Sequence, residues 1–340
     1  MSIQKKHILV IRLSAMGDVA MTLPVIRAAV AQHPELKITV LTKPFFKPFF
    51  RNLIGVNVIT VDLKGKHKGA FGLYKLAREI NKHFTFYAIA DLHNVLRSKV
   101  LKQFIKCNRF ISIDKGRAEK RQLTSGKLFK PLKTTHQRYA DVFKVLGYPI
   151  SLEHPSFPKK ASLNLQTAQF LGDKKKGFIG IAPFTAHDGK MYPLDIMKTV
   201  VEALSKDYKI ILFGGGKNQA AILNRWQQFH DNTLSVVGKF SLDEEMDIIS
   251  NLDVMLSMDS GNAHIAAMLG IKVITIWGVT HPYAGFAPFN QPIDYALLSD
   301  RVKFPLIPTS VYGNTYPSGY DKVAASISAE TVVAKIKSVI

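Results

Sequence analysis

The chain has 340 residues, 47% apolar, 10% aromatic and 21% charged, a length and composition that suit two folded domains and exclude disorder, collagen-like repeats and coiled coil. One cysteine, Cys107, excludes an internal disulfide, and no run of 18 apolar residues is present to span a bilayer. The formal net charge of +21 is lopsided: residues 1–155 carry 28 Lys/Arg against 9 Asp/Glu, and residues 156–340 carry 18 against 16. A field of +19 in the first half favours an acidic partner there, whether nucleic acid, anionic membrane or phosphorylated substrate; general solubility is the plainer alternative. The start, MSIQKKHILVIRL, lacks the apolar core and cleavage site of a signal peptide and reads as a first strand, so a cytoplasmic protein is expected.

In chain order, apolar and β-branched runs predict strands at 7–13, 37–42, 56–62, 87–92 and 109–114, then at 177–184, 209–214, 234–237, 254–258 and 272–277. Most are continuous apolar runs, as expected of strands covered on both faces of a parallel sheet. Helical periodicity intervenes at 19–32, 73–83, 138–146, 194–204, 220–229, 243–249 and 263–269. Strand–helix alternation repeated twice predicts an α/β protein of two doubly wound units. The polar, proline-marked stretch 149–163 is the expected junction, giving domains over 1–155 and 156–325. The last residues, 326–340, form a helix with Val332, Val333, Ile336, Val339 and Ile340 on one face, expected to dock back on the first domain.

Local chemistry sets some boundaries. Ser241-Leu242-Asp243-Glu244 fits a capping box, Gly270 stands where a left-handed residue closes a helix, and Pro24 should kink or restart the first helix.

Three segments can carry chemistry. In Ser14-Ala15-Met16-Gly17-Asp18, directly after the first strand, Asp18 lies at a helix N-terminus on the carboxyl edge of the sheet, where open α/β sheets bind ligands. It is either a general base toward a substrate hydroxyl or thiol, or a plain N-cap. In Met258-Asp259-Ser260-Gly261-Asn262-Ala263-His264, a strand enters a helix whose free N–H groups and dipole make a phosphate seat; capping by Ser260 and a core role for His264 are the structural alternatives. In the loop from Pro183 to Pro193, Thr185 and Lys190 can reach one phosphate, although a solvated lysine is the default expectation.

Other signals are weak or absent. Gly214-Gly215-Gly216-Lys217 lacks the phosphate-loop spacing, with Asn218 where Ser or Thr should hold magnesium. No G-x-G-x-x-G follows the first strand, and neither zinc spacing nor a D-x-D pair is present, so a metal-independent site without a cofactor is expected. Lys115, Arg117, Lys120, Arg121, Lys127, Lys130, Lys133 and Arg138, opposed only by Glu119, form one basic cluster, and Lys64, Lys66 and Lys68 a second. Both read as loops or loop–helix junctions of the first domain. An anion-binding rim is favoured over a solvated face, without the aromatic interleaving of a nucleic-acid binder.

Together these segments resemble the ADP-heptose:lipopolysaccharide heptosyltransferases, glycosyltransferase family 9. HILVIRLSAMGDVAMTLPVIRAA is similar to that family's first strand and helix, APFTAHDGKMYP to its phosphate-binding loop, and MDSGNAHIAAMLGIKVITIWGVTHP to its D-[ST]-G-x-x-H segment with the following G-x-T-x-P. The motifs run through both halves in the family's order.

The resemblance implies a GT-B fold, with two Rossmann-like doubly wound domains facing a cleft, acceptor on the first and donor on the second. Carried over, Asp18 is the general base, and Thr185, Lys190, Ser260, Gly261 and His264 hold the donor diphosphate, Lys190 also aiding departure of ADP. Asp259 shapes the turn, and Phe240 falls near adenine. The implied reaction is a single inverting displacement that moves a heptose or related sugar from an ADP-sugar to an anionic lipopolysaccharide inner-core glycolipid. It would take place at the inner face of the cytoplasmic membrane, with peripheral contact and no nucleic acid. Asn218 replaces a glutamate that often contacts the ribose, Asp91-Leu92-His93-Asn94 replaces D-x-Q-G, and Tyr192 replaces a common tryptophan. The rival readings are a nucleotide-sugar epimerase or hydrolase on the same fold and a basic, non-catalytic nucleic-acid-binding protein.

Overall fold

The computed structural model describes residues 6–340; residues 1–5, the first part of the expected opening strand segment, lie outside the described residues. The chain divides into two compact units. The first runs to Lys115 and resumes over Thr135–Ser156; the second comprises Gly116–Thr134 and Phe157–Ile340.

In the first unit, β1 (Lys6–Ile11), β2 (Leu36–Thr42), β3 (Val56–Thr60), β4 (Phe86–Asp91) and β5 (Cys107–Ser112) form a parallel sheet ordered β3-β2-β1-β4-β5. Register is direct, with Ile8 beside Ile38 and Ala88. Central β1 is apolar throughout its second half because helices cover both faces, and Ile8 to Ile11 are wholly buried. The first helix stops at Ala20 and restarts at Thr22. Pro24 explains the restart: its ring would collide with the carbonyl one turn back and it has no N–H to offer.

In the second unit, β6 (Phe178–Ala182), β7 (Lys209–Leu212), β8 (Thr233–Ser235), β9 (Val254–Met258), β10 (Lys272–Trp277) and β11 (Ala296–Leu298) form a parallel sheet ordered β11-β10-β9-β6-β7-β8. Ser241 caps its helix by accepting from the Glu244 N–H at 3.3 Å while Glu244 accepts from the Ser241 N–H at 2.9 Å, the reciprocal box the sequence predicts. Gly270 closes the helix before β10 at φ +83°, with Phe157 packed where a side chain would project.

All ten predicted strands form, and in each sheet the strand order reverses direction once, between β1 and β4 in the first and between β9 and β6 in the second. Short β11 and the helices Leu96–Phe104, Arg117–Thr124 and Leu165–Leu171 have no counterpart among the sequence expectations. Two expectations need correction. The final helix, Ala329–Val339, packs Val332, Ile336 and Val339 into the core of the second unit beside Met197 and Val200, not on the first. The basic stretch is divided. Gly116–Thr134 belongs to the second unit and includes a helix; Lys120 is buried over the Phe286 ring; Arg138 is buried in the first unit beside Asp114. Moving that segment takes five net positive charges with it, so the first unit carries +14 and the second +7.

Among the described residues no helix is long and apolar enough to cross a membrane.

Candidate active site

In a parallel sheet every strand delivers its chain to the same edge, so loops far apart in sequence meet there. In the first unit the loop after β1 carries Asp18 in the third position of the helix Met16–Ala20. It is not the N-cap residue itself; it caps from within, its Oδ2 accepting from the Ala15 N–H at 3.1 Å. The same oxygen meets Arg12 Nη2 at 2.6 Å. Arg12 is buried, donates through Nη1 to the Leu92 carbonyl at 2.7 Å and faces the Tyr139 ring, while Tyr139 Oη donates to the Asp18 carbonyl at 3.2 Å. Asp18 is thus fixed from three sides, and among the described residues its Oδ1 makes no hydrogen bond. Arg12 escaped the sequence reading, though a cation inside the apolar run HILVIRL was the available signal.

Beside this pair, Asp91 is wholly buried and accepts from the His93 and Asn94 N–H groups and from the Ser98 and Ser112 hydroxyls. Asn94 adopts φ +46°, the left-handed region in which asparagine is the tolerated stand-in for glycine. Burial, with the Arg12 charge second, lowers His93 to about 3, so its ring is neutral at physiological pH. Lys64 and Lys66 lie on a turn whose N–H groups bind Asp62, and Lys66 is paired with Glu79 at 2.8 Å.

The second unit assembles the remaining candidates on one sheet edge. After β9, Ser260 opens the helix Gly261–Met268, its hydroxyl turned to Ser257 Oγ at 3.0 Å, so it does not itself cap the helix. His264 is buried one turn in, and Gly261 and Asn262 are partly exposed at the helix start. After β6, Thr185 donates to the His187 carbonyl at 2.6 Å, making a tight turn that leads to Lys190. Lys190 Nζ lies 2.8 Å from Asp259 Oδ2, which also accepts from the Thr280 hydroxyl at 3.0 Å. Lys190 is therefore held, not solvated, and Asp259 does more than shape its turn. The loops can approach because Gly278 lacks a side chain: a Cβ there would collide with the Gly189 carbonyl, which instead accepts from the Val279 N–H at 2.8 Å. Thr280 and Gly278 were missed as site residues; their signal is the Gly-x-Thr-x-Pro that follows β10.

Asn218 is exposed in the first turn of the helix Gly216–Gln228, whose start is tied by the Gly215 N–H to Gln219 Oε1 at 2.8 Å. Phe240 packs edge-on to Phe170 at 5.0 Å. Both stand on the same sheet edge as Lys190 and Asp259, and among the described residues no hydrogen bond or ion pair joins them to that pair. Tyr192 is wholly buried, its hydroxyl donating to the Ile327 carbonyl at 2.7 Å, and burial pushes it up to about 12. It serves the core.

The chain is similar to known proteins over most of its length. The lipopolysaccharide core heptosyltransferase OpsX of Haemophilus influenzae is 26% identical over 301 residues, covering 84% of this chain and 82% of its own. The glycosyl transferase family 9 structure from Veillonella parvula covers 100% of the chain and 98% of its own at 20% identity and TM-score 0.77. E. coli heptosyltransferase WaaC with ADP covers 98% and 100% at 18% identity and TM-score 0.71. The fold is therefore α/β of the GT-B class. The model of glycosyltransferase family 9 (heptosyltransferase) matches residues 73–301, which reach through both units, and the chain belongs to that glycosyltransferase family.

Proposed function

We propose that the protein transfers heptose, or a closely related sugar, from an ADP-sugar to an anionic lipopolysaccharide-core acceptor by one inverting displacement. The observation that carries this is the Lys190–Asp259–Thr280 network at the mouth of the helix Gly261–Met268. An ammonium is held by one of its three N–H bonds beside a helix start, leaving two donors for a diphosphate. The Haemophilus relative's core heptosyltransferase name and the ADP in the solved E. coli relative support the same donor and acceptor classes.

In this reading Asp18 Oδ1 accepts the proton of the attacking acceptor hydroxyl, while Arg12 and the Ala15 N–H fix the other oxygen. The oxygen so activated forms a bond to the anomeric carbon as the bond from that carbon to the diphosphate oxygen breaks, inverting the centre. Charge then gathers on the departing ADP, where Lys190, Thr185, His264 and the N–H groups at Ser260 and Gly261 stabilise it. Phe240 and Asn218 are assigned to the nucleoside. The reaction is assigned to the inner face of the cytoplasmic membrane, reached by peripheral contact, because the acceptor is an anionic lipid and the protein is strongly basic.

The test is incubation of the full chain with ADP-heptose, with and without purified core glycolipid, following release of ADP and the mass of the lipid. Sugar appearing on the glycolipid, with little turnover in its absence, is the expected result. Equal turnover without acceptor would point to an epimerase or hydrolase instead.

A further inference from the structure

The second unit contains a cavity of about 480 Å³ that the assignments above leave unused. One wall is the end of the helix Arg117–Thr124 with Phe129; the other is the loop after β11, from Pro305 to Pro317. Arg301 lies between them. Its guanidinium carbon lies over the Phe129 ring, 3.5 Å from the centroid, and its Nε donates to the Ile307 carbonyl at 2.8 Å. Among the described residues no carboxylate pairs with it, and its terminal amines donate to nothing. The adjacent Asp300 is turned away, accepting from the Val302 N–H at 2.8 Å and lying 3.9 Å from Lys303 Nζ. His281, packed against Phe129, is lowered to about 4 by burial and then by Arg301, so it is neutral and adds no second positive charge.

A cation stacked, anchored at one nitrogen and left with two parallel donors is arranged to take a carboxylate or phosphate bidentately. The walls mix apolar and hydroxyl-bearing side chains: Phe129 and Leu306, exposed at 39% and 58%, alternate with Thr124, Ser125, Thr309 and Thr315. The volume suits a sugar ring with its charged substituent. Gly116–Thr134, which supplies one wall, carries six Lys/Arg against one Glu, so the surrounding field attracts anions as well. The far wall also leads back to the donor-side ion pair. Tyr316 lines the cavity and packs against Gly189, and Gly313 of the same loop lies against the Lys190 side chain.

We propose that this cavity binds a saccharide bearing a phosphate or carboxylate, gripped by Arg301 against Phe129. Its place beside the Lys190 loop makes that saccharide part of the sugar acceptor. This assignment to the acceptor rests on the transferase reading; binding itself does not.

The experiment is calorimetric titration of the full chain with four probes: a deacylated, phosphorylated core oligosaccharide, its dephosphorylated form, inorganic phosphate, and vesicles of phosphatidylcholine with phosphatidylglycerol. The phosphorylated oligosaccharide should bind best, and Arg301→Met should weaken it about tenfold or more, the range of a charge-assisted pair, while ADP affinity is unchanged. Arg301→Lys, which keeps the charge but loses the planar fork, should fall in between. Phe129→Leu, which spares the Ile307 bond, should weaken binding too, and covers the case in which Arg301→Met perturbs folding. In steady state, Arg301→Met should raise the acceptor KM and leave the donor KM alone. Equal affinity of wild type and both Arg301→Met and Phe129→Leu for the oligosaccharide would overturn the proposal. So would inorganic phosphate binding as tightly as the oligosaccharide, or an Arg301 dependence confined to the vesicles. Arg301-dependent binding without any sugar transfer would instead sink the transferase reading and leave this site standing.

Discussion

Each unit ends a strand in a carboxylate–cation pair, and the two pairs are built in opposite senses. In the first, Arg12 is the buried member at 8% exposure and Asp18 the open one at 26%, so the cation serves to orient a carboxylate whose second oxygen stays available. In the second, Asp259 is the buried member at 6% and Lys190 the more open at 15%, with Thr280 completing the hold on the carboxylate. On the proposed reading, the same interaction prepares an acceptor of protons in one unit and a donor of positive charge in the other. Which partner is sunk into the protein decides which is left to work.

The sharpest way to break this comparison is Asp18→Asn, which keeps the size and the Ala15 bond while removing the base. Turnover should fall at least about a hundredfold with the melting temperature nearly unchanged; a turnover assay and a thermal melt that showed full activity would remove Asp18 from its role. Next in size is a pH effect that both units share, because each holds a neutral buried histidine near an arginine. His93 and His281 are depressed below the usual histidine value, to about 3 and about 4. Their contribution is complete above pH ~6.5 and is lost as pH falls toward those values, since the unfolded chain then binds the extra protons. Each should cost about 3 kcal/mol by pH 4, and denaturant unfolding across pH 7 to 4 should be flatter in a His93→Gln, His281→Gln double variant.

For the second pair, Lys190→Ala should weaken ADP binding about tenfold, the scale of one charge-assisted contact. Asp259→Asn, which releases the lysine without removing it, should weaken ADP less; titrations giving the reverse order would mean that Asp259 and not Lys190 meets the nucleotide. Smallest is Gly278→Ala, where a methyl group would press on the Gly189 carbonyl and push the Lys190 loop outward. A loss of about 1 kcal/mol in stability with a severalfold weaker ADP affinity is expected from melting and titration on the same sample.

Much of this was legible in one dimension. Continuous apolar strands of four to eight residues separated by 3.6-period segments specify parallel α/β units because burial on both faces leaves no room for alternation. The capping box at Ser241, the restart before Pro24 and the closing turn at Gly270 are equally local, since each depends on atoms within one helical turn. Asp18, Lys190, Asp259 and Ser260 could be singled out because strand ends of a parallel sheet are the places where side chains meet a ligand.

What the sequence could not carry is everything decided by partners distant along the chain. Nothing in the run from Lys115 to Arg138 says that its middle leaves one unit for the other, because a basic helix is soluble against either; only packing such as Lys120 on Phe286 settles it. The last helix presents an apolar face to any core, and its choice of the second unit lies in the fit of Val332 and Ile336 among that unit's side chains. Arg12 with Asp18 is six residues apart and was near to being readable, whereas Lys190 with Asp259 and Thr280, or Arg301 with Phe129, joins loops from different strands. Periodicity fixes which residues are buried and which edge they reach. Which of them then touch is set by strand order and close packing, and those exist only once the chain has folded.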